Sequence, residues 1–278
     1  MSGENLPPSA GFGIGDLSGL RFSEARAHFD AGRWMEALVE AEELLDVAPD
    51  HLDALFLVGE ACLELGDAFG GEAAYARFLE LVPGDTRALS GLAIARYELT
   101  DMDGCLSCTR QALDADGTIP EAWYFQGLAL QWLGIQEESQ AAFEHAYSLD
   151  KERFPLLVML GESEWEAALA AGKALLDTKL SEWLEAVPIV SHQLPSLEVL
   201  RAATPPLSPF SPGLYWGATP DPGADAWQGR PEEIRLFRGN LERLALHAGD
   251  LPRRIAEVLR SEALDWLGMP LDSHPLST

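Results

Sequence analysis

Residues 55–85 read LFLVGEACLELGDAFGGEAAYARFLELVPGD. Two helical stretches flank Gly66, and Pro83 follows the second. Stepping 34 residues at a time from Gly59 lands on a small residue each time: Ala25 before it, then Ala93, Gly127 and Gly161 after it. A second series seven positions later runs Gly32, Gly66, Thr100 and Gly134, and a third runs Pro49, Pro83, Gly117 and Lys151. The text between these marks stays helical in pattern throughout. Self-similarity at one fixed period is the signature of stacked repeats.

Each unit is therefore expected to be a helix–turn–helix. The first small residue lets two helices approach closely, the second opens the turn, and the third ends the second helix. This pattern resembles the tetratricopeptide repeat (TPR). Four units follow, at about 18–51, 52–85, 86–119 and 120–153, and a fifth first helix is expected to begin at Phe154 and cap the array. The third unit departs most, with Thr100 and Gly117 where its neighbours have glycine and proline. One such unit cannot bury its apolar face alone, so the units stack into a right-handed solenoid. The resemblance implies that the first helix of each unit lines a concave groove. Register then places Phe22, Phe29, Phe56, Leu63, Ile94, Tyr97, Tyr124, Leu128 and Trp132 on that groove as partner-binding residues. Apolar side chains collected on a surface mark a binding site. A peptide, a helix or the chain's own second module could fill it.

Cys105 and Cys108 lie two residues apart within the second helix of the third unit. No second ligand pair accompanies them, so they read as small core residues rather than a redox or metal pair. His28, His51 and His145 are scattered and suggest no chemistry.

The chain has 278 residues, 47% of them hydrophobic, and a net charge of −26. Such a charge disfavours nucleic acid and anionic membranes, both of which need basic patches. No apolar run is long enough to span a bilayer, so no membrane insertion is expected. Residues 1–17 form a Gly/Pro-containing tail without the pattern of a signal peptide, and are expected to be flexible. Only three cysteines occur, which fits a reducing, cytoplasmic setting. The charge is uneven. Residues 1–162 carry 29 acidic and 9 basic side chains, and residues 163–278 carry 16 and 10. The basic residues of the second part include the cluster Arg230, Arg235, Arg238, Arg243, Arg253, Arg254 and Arg260. Two modules are expected, 18–162 and 163–278, and the asymmetry would allow the second to dock on the first.

The second module opens with a helical stretch ended by Pro188. Ile189 and Val190 begin a short strand, and a proline-dense segment follows. Glu233 to Phe237 alternates as a strand does. Asn240 is a candidate cap for a short helix. Leu251–Met269, LPRRIAEVLRSEALDWLGM, then reads as one helix. Asp250 stands at its N-cap position, Pro252 in its first turn and Gly268 past its end. Leu251, Ile255, Val258, Leu259 and Trp266 share its apolar face. Glu262 falls on that face as well. A carboxylate there is costly unless paired or protonated, so it is expected to be at least partly buried and bonded to an arginine or a hydroxyl.

Taken in order, WEAALAAGKALLD, LEAVPIVSHQLPS, GLYWGATP, EEIRLFRGNLERLA and LRSEALDWLGM resemble the segments of a minimal zincin-like metallopeptidase family of bacteria. GLYWG is the most specific match. The fold class that follows is mostly α: a TPR helical-hairpin solenoid, then a small α+β zincin-like domain. LRSEALDWLGM stands where that family has His-Glu-x-x-His. Glu262, at the general-base position, is kept, while the two zinc-binding positions hold Ser261 and Asp265. Zinc in such a helix needs two imidazoles one turn apart and a further ligand. Without the metal no water is activated for Glu262 to serve. The three positions are vestigial on this view, and no metal, cofactor or catalytic residue is expected. The expected function is a non-catalytic adaptor that binds a protein or peptide through the TPR groove and uses the inactive zincin-like domain as a scaffold. The alternative is a metallopeptidase with an atypical metal site.

Overall fold

The computed structural model describes residues 14–156, 158–202, 207–221, 225–245, 247–274 and 276, with the side chains of 14–18 left aside. The expected tail therefore lies outside the described residues up to residue 13. Its last positions belong to the first helix. The chain divides into two compact units, one ending at Phe154 and the other beginning at Pro155. The division falls eight residues before the composition shift at 162/163.

The first unit is a run of eight helices: α1 (Ile14–Asp30), α2 (Trp34–Val47), α3 (Leu52–Glu64), α4 (Ala68–Leu81), α5 (Thr86–Glu98), α6 (Met102–Ala115), α7 (Pro120–Trp132) and α8 (Gln136–Leu149). They form four consecutive hairpins, each packed on the next, as the TPR pattern requires. Capping is written into the sequence. His51 Nδ1 accepts the Ala54 N–H at 3.2 Å, Asp67 the Gly70 N–H at 3.0 Å, and Asp101 the Gly104 N–H at 3.0 Å. Asp85 accepts from both Arg87 and Ala88.

The turn series has a common conformation. Gly32, Gly66 and Gly134 have φ of +71°, +77° and +76°. Thr100 takes the same left-handed geometry at φ +62° although it carries a Cβ. The period therefore survives the departure of the third unit. The helix-contact series has a steric cause at Gly59. A Cβ added there would lie 2.6 Å from the ring of buried Tyr75, and one added at Gly91 would lie 2.3 Å from the same ring. Tyr75, on α4, is thus clasped between glycines of α3 and α5.

The expected fifth helix is absent. Among the described residues, 155–161 carry no helix, and Gly161 instead opens a helix of the second unit. The repeats end with the turn after α8. Phe154 packs its ring 5.0 Å from that of Tyr124.

The second unit contains α9 (Glu162–Lys173), α10 (Thr178–Leu184), β1 (Ile189–His192), α11 (Leu197–Ala202), β2 (Gly213–Trp216), β3 (Glu233–Phe237), α12 (Arg238–Leu244) and α13 (Leu251–Leu267). The opening helical stretch is two helices because Asp177 caps the second, accepting the N–H groups of Lys179 and Leu180. The strands form one sheet in the order β1-β3-β2. β1 runs parallel to β3 with Ile189 beside Ile234, and β2 runs antiparallel with Tyr215 beside Ile234. The alternation of β3 is real: Ile234 and Leu236 are fully buried, while Glu233 and Arg235 are half-buried.

α13 packs its apolar face on this sheet and on α9 and α10. Leu251, Ile255 and Leu259 are completely buried, with Val258 and Trp266 close behind, as the wheel requires. Gly268 ends the helix at φ +66°. Asp250 does not cap it; its carboxylate accepts the His247 N–H at 3.0 Å, in the short 3₁₀ turn that precedes the helix. Asn240 is not a cap either. It lies inside α12, buried, and its amide donates to the carbonyls of Pro209 and Ser211 at 2.8 and 2.7 Å. An asparagine that reads as local punctuation is here a tertiary staple for the segment entering β2.

Candidate functional site

Two places could carry chemistry, one in each unit. In the second unit the centre is Glu262. The spacing that buries Leu251, Ile255, Val258 and Leu259 brings Glu262 round to face β2. Gly213 makes the close approach possible: a Cβ at that position would meet Val258 Cγ1 at 2.7 Å and the Arg235 carbonyl at 2.9 Å. Glu262 Oε2 then accepts the backbone N–H of Tyr215 at 3.0 Å. Glu262 is partly buried as expected, but its partner is a main-chain amide rather than an arginine or a hydroxyl.

The two residues sit at the wall of a cavity of about 490 Å³. Val199, Leu207, Leu214 and Trp216 supply its apolar surface, and Glu262 and Asp265 its carboxylates. Burial pushes the Glu262 carboxyl up to about 7; the Tyr215 N–H lowers it and the Asp265 charge raises it. Burial also raises the Tyr215 phenol, with Asp265 and Glu262 adding to the effect. Asp265 is exposed, and Ser261 is half-buried and not among the residues lining the cavity.

Zinc does not fit this donor set. Tetrahedral zinc requires three protein donors of imidazole, thiolate or carboxylate type. Ser261 offers a hydroxyl, Asp265 one carboxylate, and Glu262 has an oxygen committed to Tyr215. Among the described residues no group of three or more His, Cys, Asp or Glu side chains is arranged to hold a metal ion. None of the histidines of this unit lines the cavity. His274 Nδ1 lies 3.0 Å from Asp177 Oδ2, the ring of His192 is 6.5 Å from that of Phe237, and His247 is exposed on the turn before α13.

In the first unit, a hollow of about 480 Å³ opens along the first helices of the hairpins. Phe29 of α1, Phe56 and Leu63 of α3, and Ile94 of α5, four of the nine residues assigned by register, line it. The other five assigned residues are not in its lining. Tyr97 and Leu128 are completely buried and so cannot present a side chain to a partner. Tyr97 stacks edge-on against Phe125 of α7, with ring centres 5.7 Å apart, and its hydroxyl accepts the indole N–H of Trp132 at 2.9 Å. Tyr124 is half-buried among Phe125, Phe143 and Phe154. Phe22 rests near the His51 ring and the core below it. These side chains join neighbouring helices, which register alone does not separate from groove positions. Sequence reasoning missed Glu60, Glu64, Arg87 and Glu121, which also line the hollow; the pattern of apolar residues carries no signal for them.

Cys105 and Cys108 are buried and free. Cys105 Sγ is 3.7 Å from the Phe125 carbonyl, and Arg96 donates to Cys108 Sγ at 3.3 Å. Burial raises both thiols.

The sheet order β1-β3-β2 with α13 across it places Glu262 facing the edge strand, with Gly213–Trp216 opposite. Residues 184–272 match the zincin-like metallopeptidase family model. The zincin-like region therefore begins at the end of α10 and runs past α13. No curated protein matches the chain. Among solved structures, a crystal structure of MamA protein is 16% identical, covering 49% of this chain and 74% of its own, with a TM-score of 0.46. MamA 41-end from Desulfovibrio magneticus RS-1 is 15% identical, covering 49% and 77%, with a TM-score of 0.45. A thermophilic TPR protein of Thermus thermophilus is 18% identical, covering 48% and 75%, with a TM-score of 0.43. Among the described residues, no helix is long and apolar enough to cross a membrane.

Proposed function

We propose that this chain is a non-catalytic interaction protein of the cytoplasm. Its TPR unit binds a protein or peptide segment, and its zincin-like unit is a metal-free scaffold. The hollow lined by Phe29, Phe56, Leu63 and Ile94 carries the first half of the proposal. Concave, largely apolar cavities of this size are where proteins take up ligands. The commitment of Glu262 to the Tyr215 amide supports the second half. A general base must reach a proton on an activated water, and Ser261, Glu262 and Asp265 do not make the donor set that would hold a metal to activate one. The three free, buried cysteines suit a reducing compartment.

Two measurements test the proposal. Protein purified without a histidine tag is assayed against a casein substrate and for bound metal. No cleavage above a Glu262→Ala control is expected. Cleavage lost in that variant would establish the rival, a peptidase with an atypical metal site. Separately, proteins captured by the full chain and by a Phe56→Ala/Ile94→Ala variant are compared by mass spectrometry. A set lost in the variant is expected, and an identical set would remove the hollow from the function.

A further inference from the structure

The hollow of the TPR unit has a charge arrangement that selects its occupant. Its acidic side chains are Glu60, Glu64, Asp116 and Glu121, and its basic ones Arg87 and Arg153. Both arginines are already engaged. Arg153 pairs with Glu121, and Arg87 pairs with Asp85 at 3.5 Å while lying 5.0 Å from the centre of the Phe56 ring. An anionic ligand would share these arginines with the carboxylates they already meet. Of the carboxylates, Glu121 is taken by Arg153, and two more are engaged while one is not. Glu60 is held by Arg26 at 2.9 Å, and Asp116 is turned towards its own loop, accepting from Thr118. Glu64 is exposed at the rim with no ion-pair partner within 4.0 Å among the described residues. The surrounding sequence is strongly acidic, with 29 acidic against 9 basic residues through residue 162. A field of that sign steers cations towards a cleft and repels anions.

We infer that the hollow takes a cationic apolar segment of a partner protein, one in which a Leu, Ile or Phe anchor enters among Phe29, Phe56 and Ile94 while a neighbouring lysine or arginine meets Glu64. The inference rests on the groove function proposed above and specifies its ligand. The anchor leaves water for an aromatic-lined cavity, and the cation meets a carboxylate that needs no rearrangement to receive it. Acidic segments are disfavoured by the same charges.

A phage library of random twelve-residue peptides, panned on the full chain, tests this. Enriched sequences are synthesised and their Kd measured by fluorescence anisotropy on the parent and on Glu64→Lys, Ile94→Ala and Phe56→Ala variants, each with its melting temperature checked. Expected are peptides pairing Leu, Ile or Phe with Lys or Arg, weakened about tenfold by Glu64→Lys and weakened further by raised salt. Enrichment of acidic or neutral peptides that Ile94→Ala still weakens would overturn the cationic assignment and leave the groove function standing. If no enriched peptide is weakened by Ile94→Ala or Phe56→Ala, or none is enriched, the groove function falls together with the inference.

Discussion

Glu262 Oε2 accepts the backbone N–H of Tyr215 at 3.0 Å, tying α13 to the edge strand β2. This bond engages one oxygen of the side chain kept at the general-base position of the zincin-like pattern. It also places a carboxylate where burial works against its charge.

The first consequence concerns pH. The Glu262 carboxyl titrates near 7 in the folded chain, above its ordinary value of 4.5. Between these values the folded state binds more protons than the unfolded one, so stability contributed by this group falls as pH rises towards 7. Glu262→Gln keeps an acceptor for the Tyr215 amide and removes the charge. The variant is expected to be more stable than the parent above pH 7, by roughly 1–3 kcal/mol, and to lose the slope between pH 5 and 7. Urea unfolding at several pH values measures both.

A second prediction concerns how β2 meets α13. The space at Gly213 is closed by Val258 and the Arg235 carbonyl. Gly213→Ala should destabilise the zincin-like unit by about 1–3 kcal/mol. It should also separate Tyr215 from Glu262; because the Tyr215 N–H lowers the Glu262 titration, its loss should move that titration further up, which NMR of the labelled carboxylate would report.

The repeat unit offers a paired test. Gly66 has φ +77° and open space where a Cβ would be, so Gly66→Ala carries backbone strain alone, about 1–2 kcal/mol. Gly59 lies in a helix with the Tyr75 ring against it. Gly59→Ala therefore forces a packing shift, and Tyr75→Leu in the same chain should recover part of its loss. Gly66→Ala should gain nothing from Tyr75→Leu. Thermal melts of the four variants decide this.

How much of this could be read beforehand depends on where each signal resides. The four hairpins were legible because the small residues, the turn glycines and the apolar spacing are local and recur. Even Thr100 keeps the turn at φ +62°, since the period is held by its neighbours. The groove was half legible. α5 buries residues from Ala88 to Tyr97 around most of its circumference, so register alone could not tell a face against α7 from a face towards the hollow. Glu262 stood out as a carboxylate on an apolar stripe. Its partner did not, because a backbone N–H leaves no mark in the sequence. Asn240 was misread for a related reason: its partners, Pro209 and Ser211, lie about thirty residues away.

A further expectation concerns the thiols. Burial raises Cys62 to about 11, and raises Cys105 and Cys108 as well. The thiolate is the reactive form. Ellman's reagent at pH 8 should therefore modify all three only as fast as the repeat unit opens, with full reaction in denaturant. Rapid labelling of Cys105 or Cys108 in the native protein would show them to be accessible and active.

On the function proposed for this chain, the zincin-like helix has no metal to serve. Isothermal titration of zinc into untagged, chelator-treated chain at pH 7.5 tests that directly. The expected result is no stoichiometric heat beyond weak, non-saturating binding to the acidic surface, and an unchanged trace for Glu262→Ala. One zinc per chain bound at submicromolar Kd, and lost in Glu262→Ala or Asp265→Ala, would contradict it.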